Sequence, residues 1–271
     1  MRIVVCAKEV LEPDAVNAYA LAGRLIIGED GRTLSQAAIP RLMNAYDEQA
    51  IEAALRIRDA GVDCTIAVVS AGPNPADLLK HAAALGADEL VAVPFDTSQT
   101  DCSGIAALLA ACIRRSGGGD LILCGRQASD DDQGVVPAIL GELLDMPVIT
   151  IARELSVRQS PDGPVVRVTR VTPNGDETVE SALPAVVTIS NELGQPRYPT
   201  AARTIAARRM QPAVVSLEEL ALDPKELQPK AALTQLFVPT VQGNCEFISG
   251  ETPTETAERL LERLRADGLL E

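Results

Sequence analysis

Three short stretches concentrate the residues that could meet a ligand: Cys6-Ala7-Lys8, Ser70-Ala71-Gly72, and the run from Gly125 through Asp130 to Gly134. Each follows an apolar run of strand type, and its small residues let a ligand approach the backbone. The third also opens a helix, whose unpaired amides and positive end favour an anion such as phosphate; Lys8 could add a cation. The spacing is neither a Walker loop nor GxGxxG. Tight βα turns would use the same residues, so the loops alone leave both readings open. Asp130-Asp131-Asp132 offers carboxylates of the kind hard cations prefer, but it matches no EF-hand or two-metal pattern. It reads as an acidic cluster at a helix start, and no metal site is expected. The single histidine, His81, falls in a helical pattern among Ala and Leu and reads as structural. That leaves little room for Ser-His-Asp or Cys-His chemistry, and no catalytic residue is expected.

The elements that must position these loops follow from periodicity. Strands are expected at Ile3–Cys6, Cys64–Ser70, Glu89–Val93, Asp120–Cys124, Pro147–Ile151 and Pro184–Ser190. Helices are expected at Glu48–Ala60 (Asn44 or Asp47 as N-cap), Pro75–Gly86, Cys102–Arg115, and from Gly134 to about Asp145. This alternation marks a doubly wound, mainly parallel α/β sheet, in which ligands lie beyond the carboxyl ends of the strands. Glu29-Asp30-Gly31 between Arg24–Ile27 and Thr33–Ala38 suggests a hairpin. Glu154–Arg158, Val165–Val171 and Glu177–Ala182 suggest an antiparallel extension over 153–182. From Asn191 the βα rhythm ends. Residues 221–253 read as an extended arm and Thr252–Asp267 as an amphipathic helix; such an arm packs on something else.

Composition supports that architecture. Three Phe, three Tyr and no Trp leave a core of Val, Ile, Leu and Ala, suited to strands buried on both faces. A net charge of −14 repels nucleic acid and anionic membranes without excluding a nucleotide in a local pocket. The six cysteines form no CxxC pair and read as free thiols in a reducing compartment. The N-terminus lacks signal-peptide character and no apolar run is long enough to span a bilayer, so a cytoplasmic location without membrane insertion is expected.

Several blocks occur in an order that is specific: Lys8, Asn44-Ala45-Tyr46-Asp47-Glu48, Ser70-Ala71-Gly72-Pro73, Ala84-Leu85-Gly86-Ala87-Asp88, Cys124-Gly125-Arg126-Gln127-Ala128, Leu183-Pro184-Ala185-Val186-Val187 and Pro196-Arg197-Tyr198-Pro199. Together they resemble the electron transfer flavoprotein beta subunit family over nearly the whole chain. The resemblance implies an adenine nucleotide α-hydrolase-like fold and a heterodimer with an alpha subunit that carries most of the FAD site. It also implies AMP in this chain, or a second FAD in an electron-bifurcating, NADH-oxidising member. By position, Ala7, Lys8, Asn44, Asp47, Ser70, Gly72, Gly125, Asp130, Asp132, Gln133, Gly134, Val135 and Val136 would line the nucleotide site, with Tyr46 near the shared flavin. Pro196, Arg197, Tyr198 and Ala201 would dock a dehydrogenase, an acyl-CoA type being one candidate, with a quinone-linked or other acceptor downstream. The implied division is a nucleotide-binding domain at 1–190, a partner-recognition segment at 191–220, and an arm with a helix at 221–271 packing on the alpha subunit. A stand-alone ATP-binding signalling module of the same fold is the reading from another class.

Three positions depart from the family pattern. Val135, Val136 and Pro137 stand where the phosphate turn commonly has Gln, then Thr or Val, then Gly. Gln133 and backbone amides would have to compensate, and Pro137 suits a first helical turn. Ala201 replaces the anchoring leucine, forfeiting roughly 1–2 kcal/mol of apolar contact, which implies a different partner or docking mode. Ala45 replaces a usual proline.

Overall fold

Strands rich in Val, Ile and Leu with no polar alternation can satisfy their side chains only if both sheet faces are covered. The computed structural model, which describes residues 1–35, 38–238 and 245–270, has this arrangement. The chain forms two compact units, Met1–Leu236 and Phe237–Glu271. In chain order the first contains β1 (Arg2–Cys6), β2 (Glu9–Leu11), α1 (Pro13–Leu21), β3 (Arg41–Met43), α2 (Ala45–Asp59), β4 (Thr65–Gly72), α3 (Ala76–Leu85), β5 (Glu89–Pro94), α4 (Cys102–Arg115) and β6 (Leu121–Gly125). It continues through α5 (Val136–Leu144), β7 (Val148–Ser160), β8 (Gly163–Thr172), β9 (Gly175–Ala182), β10 (Ala185–Ile189), α6 (Ala201–Ala207), β11 (Ala213–Val214) and α7 (Leu217–Leu220). The second unit contains α8 (Pro253–Ala266).

Among the described residues, nine strands form one sheet in the order β11-β5-β4-β1-β6-β10-β7-β8-β9. Pairing is parallel from β11 to β7 and antiparallel across β7, β8 and β9. Strand alternation sorts the core into two layers. Ile3, Val5, Ile66, Val68, Leu121 and Leu123 meet Ile51, Leu55 and Leu79 of α2 and α3. Val4, Val69, Val93 and Ile122 meet Leu108, Ile113 and Leu140 of α4 and α5. Alanines such as Ala50, Ala54, Ala106 and Ala110 let these helices approach closely. Cys6, Cys112 and Cys124 are buried free thiols. No helix among the described residues is long and apolar enough to cross a membrane.

Four expectations need correction. The hairpin at 24–38 reduces to a single bridge, Ile27 to Leu34, with residues 36 and 37 outside the described set. Helix α1 and the small β2–β3 sheet carry no expected signal, because α1 buries no residue and so shows no apolar stripe. Glu12 starts it instead, accepting from the Asp14 and Ala15 amides at 3.1 and 2.6 Å. The expected strands Pro147–Ile151 and Glu154–Arg158 are one continuous strand with an irregular register. Ile151 there has φ +62° and donates its amide to Thr188 Oγ1 at 2.9 Å. Finally, residues after Asn191 contribute α6, the edge strand β11 and α7, burying Ala207 and Leu220.

Ile51 is fully buried where α2 meets the sheet. Ile51→Ala should cost about 2–5 kcal/mol in urea unfolding. Ile205→Ala, at 57% exposure, should stay within about 0.5 kcal/mol of the parent.

Candidate functional site

The chain runs from β1 to β4 on one side and returns to place β6 on the other, so the carboxyl ends of β1 and β6 diverge into a crevice. Helix α2 begins at this crevice and holds both loops. Asp47, only 6% exposed, accepts the Lys8 amide on Oδ2 at 2.8 Å and the Gly125 amide on Oδ1 at 2.9 Å. One carboxylate thus joins the chain beyond β1 to the end of β6. Asn44, equally buried, donates its amide to Lys8 O at 2.9 Å and its Nδ2 to Gln127 O at 2.9 Å. Its Oδ1 accepts from the Ser129 amide at 3.2 Å. Asn44 therefore occupies the N-cap position without a side-chain cap, its amide being committed to the neighbouring loop.

Close packing explains two glycines. A Cβ on Gly125 would lie 2.5 Å from Asp47 Oδ1 and 2.6 Å from Tyr46 Cβ. Gly134 has φ +61°, and a Cβ there would lie 2.7 Å from Arg126 O. At the end of β4, by contrast, nothing among the described residues lies within 4 Å of where a Gly72 Cβ would point. Ser70 is buried beside the end of β1, and the Ala7 amide donates to Val69 O at 2.9 Å.

The charges are arranged differently from the sequence expectation. Lys8 Nζ donates to Asp130 Oδ1 at 2.7 Å and Asp131 Oδ2 at 3.3 Å. Burial works to lower its pKa, but the hydrogen bonds and charges of these carboxylates prevail and raise it. Gln127 Nε2 donates to Asp132 Oδ1 at 2.6 Å. The acidic run is not at the helix start: α5 begins at Val136, and Asp132, with φ +52°, belongs to a turn closed by Ala128 O. No group of metal-ligating residues occurs among the described residues. Tyr46 is half-buried, and the Arg126 guanidinium lies 5.4 Å from its ring centroid, within cation–π range.

Two features leave room for an anionic ligand. The amides of Gly134, Val135 and Val136 donate to no acceptor among the described residues, and they stand at the positive end of α5. Ser129 Oγ is buried with no hydrogen-bond partner among the described residues. Gln133 is exposed beside them, its amide donating to Asp131 Oδ1 at 3.3 Å. Sequence reasoning passed over Ser129, Arg126 and Asp131 individually; only the folded loop distinguishes an orphan hydroxyl from an ordinary surface serine.

The four expected docking residues do not join these loops. Pro196 and Arg197 lie along α2, with Arg197 bonded to Glu52; Tyr198 is 87% exposed, and Ala201 is the exposed first residue of α6. A concavity of about 500 Å³ lies away from these loops, between Met1, Asp63, Asp120, Val157 and Leu183. His81 pairs with Glu48, Nε2 to Oε1 at 2.9 Å, beside a cavity of about 150 Å³ shared with Lys80 and Arg208.

Burial pushes the Asp47 carboxyl up to about 7, against the hydrogen bonds and the weaker Lys8 charge that favour its charged form. The folded chain therefore keeps a proton that the unfolded chain has released. Stability should fall as pH rises from about 4 to about 7, by at most about 4 kcal/mol, and lose nothing more above that window. Asp47→Asn should remove this slope, as read from urea unfolding across pH.

The chain matches the family described as the electron transfer flavoprotein domain over residues 32–224. It is 31% identical over 270 residues, 98% of both chains, to the caffeyl-CoA reductase-Etf complex subunit CarD of Acetobacterium woodii. It is 29% identical over 285 residues, covering both chains fully, to the electron transfer flavoprotein subunit beta of Megasphaera elsdenii. The corresponding subunit of Bacillus subtilis is 30% identical over 228 residues, 83% of this chain and 86% of that one. The parallel sheet with its helical layers agrees with that domain, and the chain belongs to the electron transfer flavoprotein beta-subunit family.

Proposed function

We propose that the chain is the non-catalytic beta half of a heterodimeric electron carrier, binding AMP in the β1–β6 crevice and lining an FAD held mainly by an alpha subunit. The observation that carries this reading is the crevice itself: loops locked by Asn44 and Asp47 beside three amides and one hydroxyl without partners among the described residues. The Gly134–Val136 amides and Ser129 Oγ would take the phosphate oxygens. Ala7, Ser70 and Gly72 would border the nucleoside, and Gln133 would compensate for the apolar Val135 and Val136. Local charge favours a monophosphate over a triphosphate. The loops carry two cations, Lys8 and Arg126, and three carboxylates, Asp130, Asp131 and Asp132, with Lys8 already paired to Asp130 and Asp131, so each added phosphate charge meets more repulsion. This weighs against the stand-alone ATP-binding module.

When bound, FAD supplies the redox chemistry. The residues of this chain orient and shield it, with Tyr46 and Arg126 facing the flavin side. Residues 191–220 dock a dehydrogenase, and 221–271 pack on the alpha subunit, where α8 would cover its exposed Leu260 and Leu261. Electrons would pass onward to a quinone-linked or other acceptor in the cytoplasm. A second reading, with FAD in place of AMP and NADH as donor, is kept open by the full-length relative named as part of a reductase-Etf complex.

Denaturing the purified complex with its alpha subunit and quantifying released nucleotides tests both. One FAD and one AMP per heterodimer is expected; two FAD and no AMP would establish the second reading, and a lone chain carrying ATP would overturn both. Gly125→Ala, whose new methyl displaces Asp47 and Tyr46, should reduce released AMP at least about tenfold while the complex still assembles on a sizing column.

A further inference from the structure

Glu52 lies in the middle of α2, yet only 6% of it is exposed. Helical carboxylates at that depth are rare unless several donors satisfy them. Glu52 has four such contacts. Oε2 accepts from the Arg197 amide at 3.2 Å and from Arg197 Nε at 2.7 Å. Oε1 accepts from Arg197 Nη2 at 3.2 Å and from Arg56 Nε at 2.9 Å. Burial works against its charge, but the hydrogen bonds from Arg197 and Arg56 hold its carboxyl below the ordinary range. Asp59, about two turns further along α2, takes the same guanidinium at 2.7 Å through Arg197 Nη2.

The segment these contacts hold has little else to define it. Between the short turn at Asn191–Leu193 and α6 there is no regular structure, and Leu193 is its one buried residue. Its carbonyls are taken by the same helix: Arg56 Nη1 reaches Leu193 O at 2.8 Å, and Gln49 Nε2 approaches Gly194 O at 3.4 Å. The next side chain after Arg197 is Tyr198, 87% exposed, with no polar partner among the described residues to anchor it. A bidentate guanidinium–carboxylate pair specifies direction as well as distance, so the orientation of Arg197 sets where Tyr198 and Pro199 project.

We propose that Glu52 is the positioning residue of the docking segment, clamping Arg197 so that Tyr198 and its neighbours are presented to the partner dehydrogenase in one fixed geometry. This rests on the reading of 191–220 as the docking segment. Glu52 touches neither partner nor flavin; it acts by lowering the ordering that docking would otherwise require. Its loss should therefore weaken partner binding while electron transfer within the docked complex continues.

The test uses the intact complex with its alpha subunit, carrying Glu52→Gln, Arg197→Gln or both, with Tyr198→Ala as a probe of the docking surface. Amide hydrogen exchange over 193–199 and the KM for butyryl-CoA-reduced acyl-CoA dehydrogenase are measured beside kcat and FAD content. Glu52→Gln should speed exchange and raise KM at least about tenfold, with kcat and FAD content within about twofold. Arg197→Gln should match it, and the double variant should be no worse than either, because both remove one interaction. Unchanged exchange in Glu52→Gln, or losses that fall on FAD content and kcat together, would overturn the role of Glu52. A raised KM in Tyr198→Ala alone would overturn it too while leaving the docking reading intact. Faster exchange in Glu52→Gln with KM unchanged in every variant would instead overturn the docking reading itself.

Discussion

The arrangement of the crevice depends on one buried carboxylate. At the switch point of a parallel sheet, the loops after β1 and β6 leave in different directions and share no ladder hydrogen bonds beyond the strand ends. Asp47 joins them by accepting one amide from each, Lys8 and Gly125. It stands in the first turn of α2, where the helix dipole and unpaired amides favour negative charge. Burial nevertheless outweighs these favourable contacts and raises its pKa. The neighbouring Asn44 repeats the device with an uncharged side chain, binding Gln127 and Ser129. Removing either would leave buried backbone groups unpaired, which costs more than the hydrogen bond itself contributes.

Helix α2 is consequently shared between two regions. Its N-terminus organises the crevice, its apolar face with Ile51 and Leu55 covers the sheet, and its remaining side bonds the 191–197 segment through Gln49, Glu52, Arg56 and Asp59. Charge follows the same economy of place. In a chain of net charge −14, Lys8 and Arg197 are both neutralised by acidic neighbours within the fold. A ligand or partner therefore meets amides, hydroxyls and an exposed aromatic before it meets an isolated cation.

The parts of the fold that were legible share a physical cause. Strands β1, β4, β5 and β6 are buried on both faces, so their apolar runs are continuous, and α2 and α4 bury stripes at helical spacing. Where burial is slight, the signal vanishes. Helix α1 buries nothing, and β11 has two exposed residues paired only through backbone with β5. The irregular strand β7 was read as two because Ile151 leaves the extended region in its middle. Among the candidate ligand residues, the loops were legible from their small residues and positions after strands. The pairing of Lys8 with Asp130 and Asp131 was not, because it joins positions more than a hundred residues apart.

By itself, the sequence determined the family, the layered parallel sheet and the three loops that meet at its carboxyl edge. These depend on local periodicity, glycine placement and motif order, all of which a linear chain records. Only the tertiary structure decided how the charges are spent: Asp47 on backbone amides, Lys8 on its own loop, and Glu52 on Arg197. Each depends on which side chains burial brings together and leaves without water. Desolvation belongs to the folded environment and to no single residue.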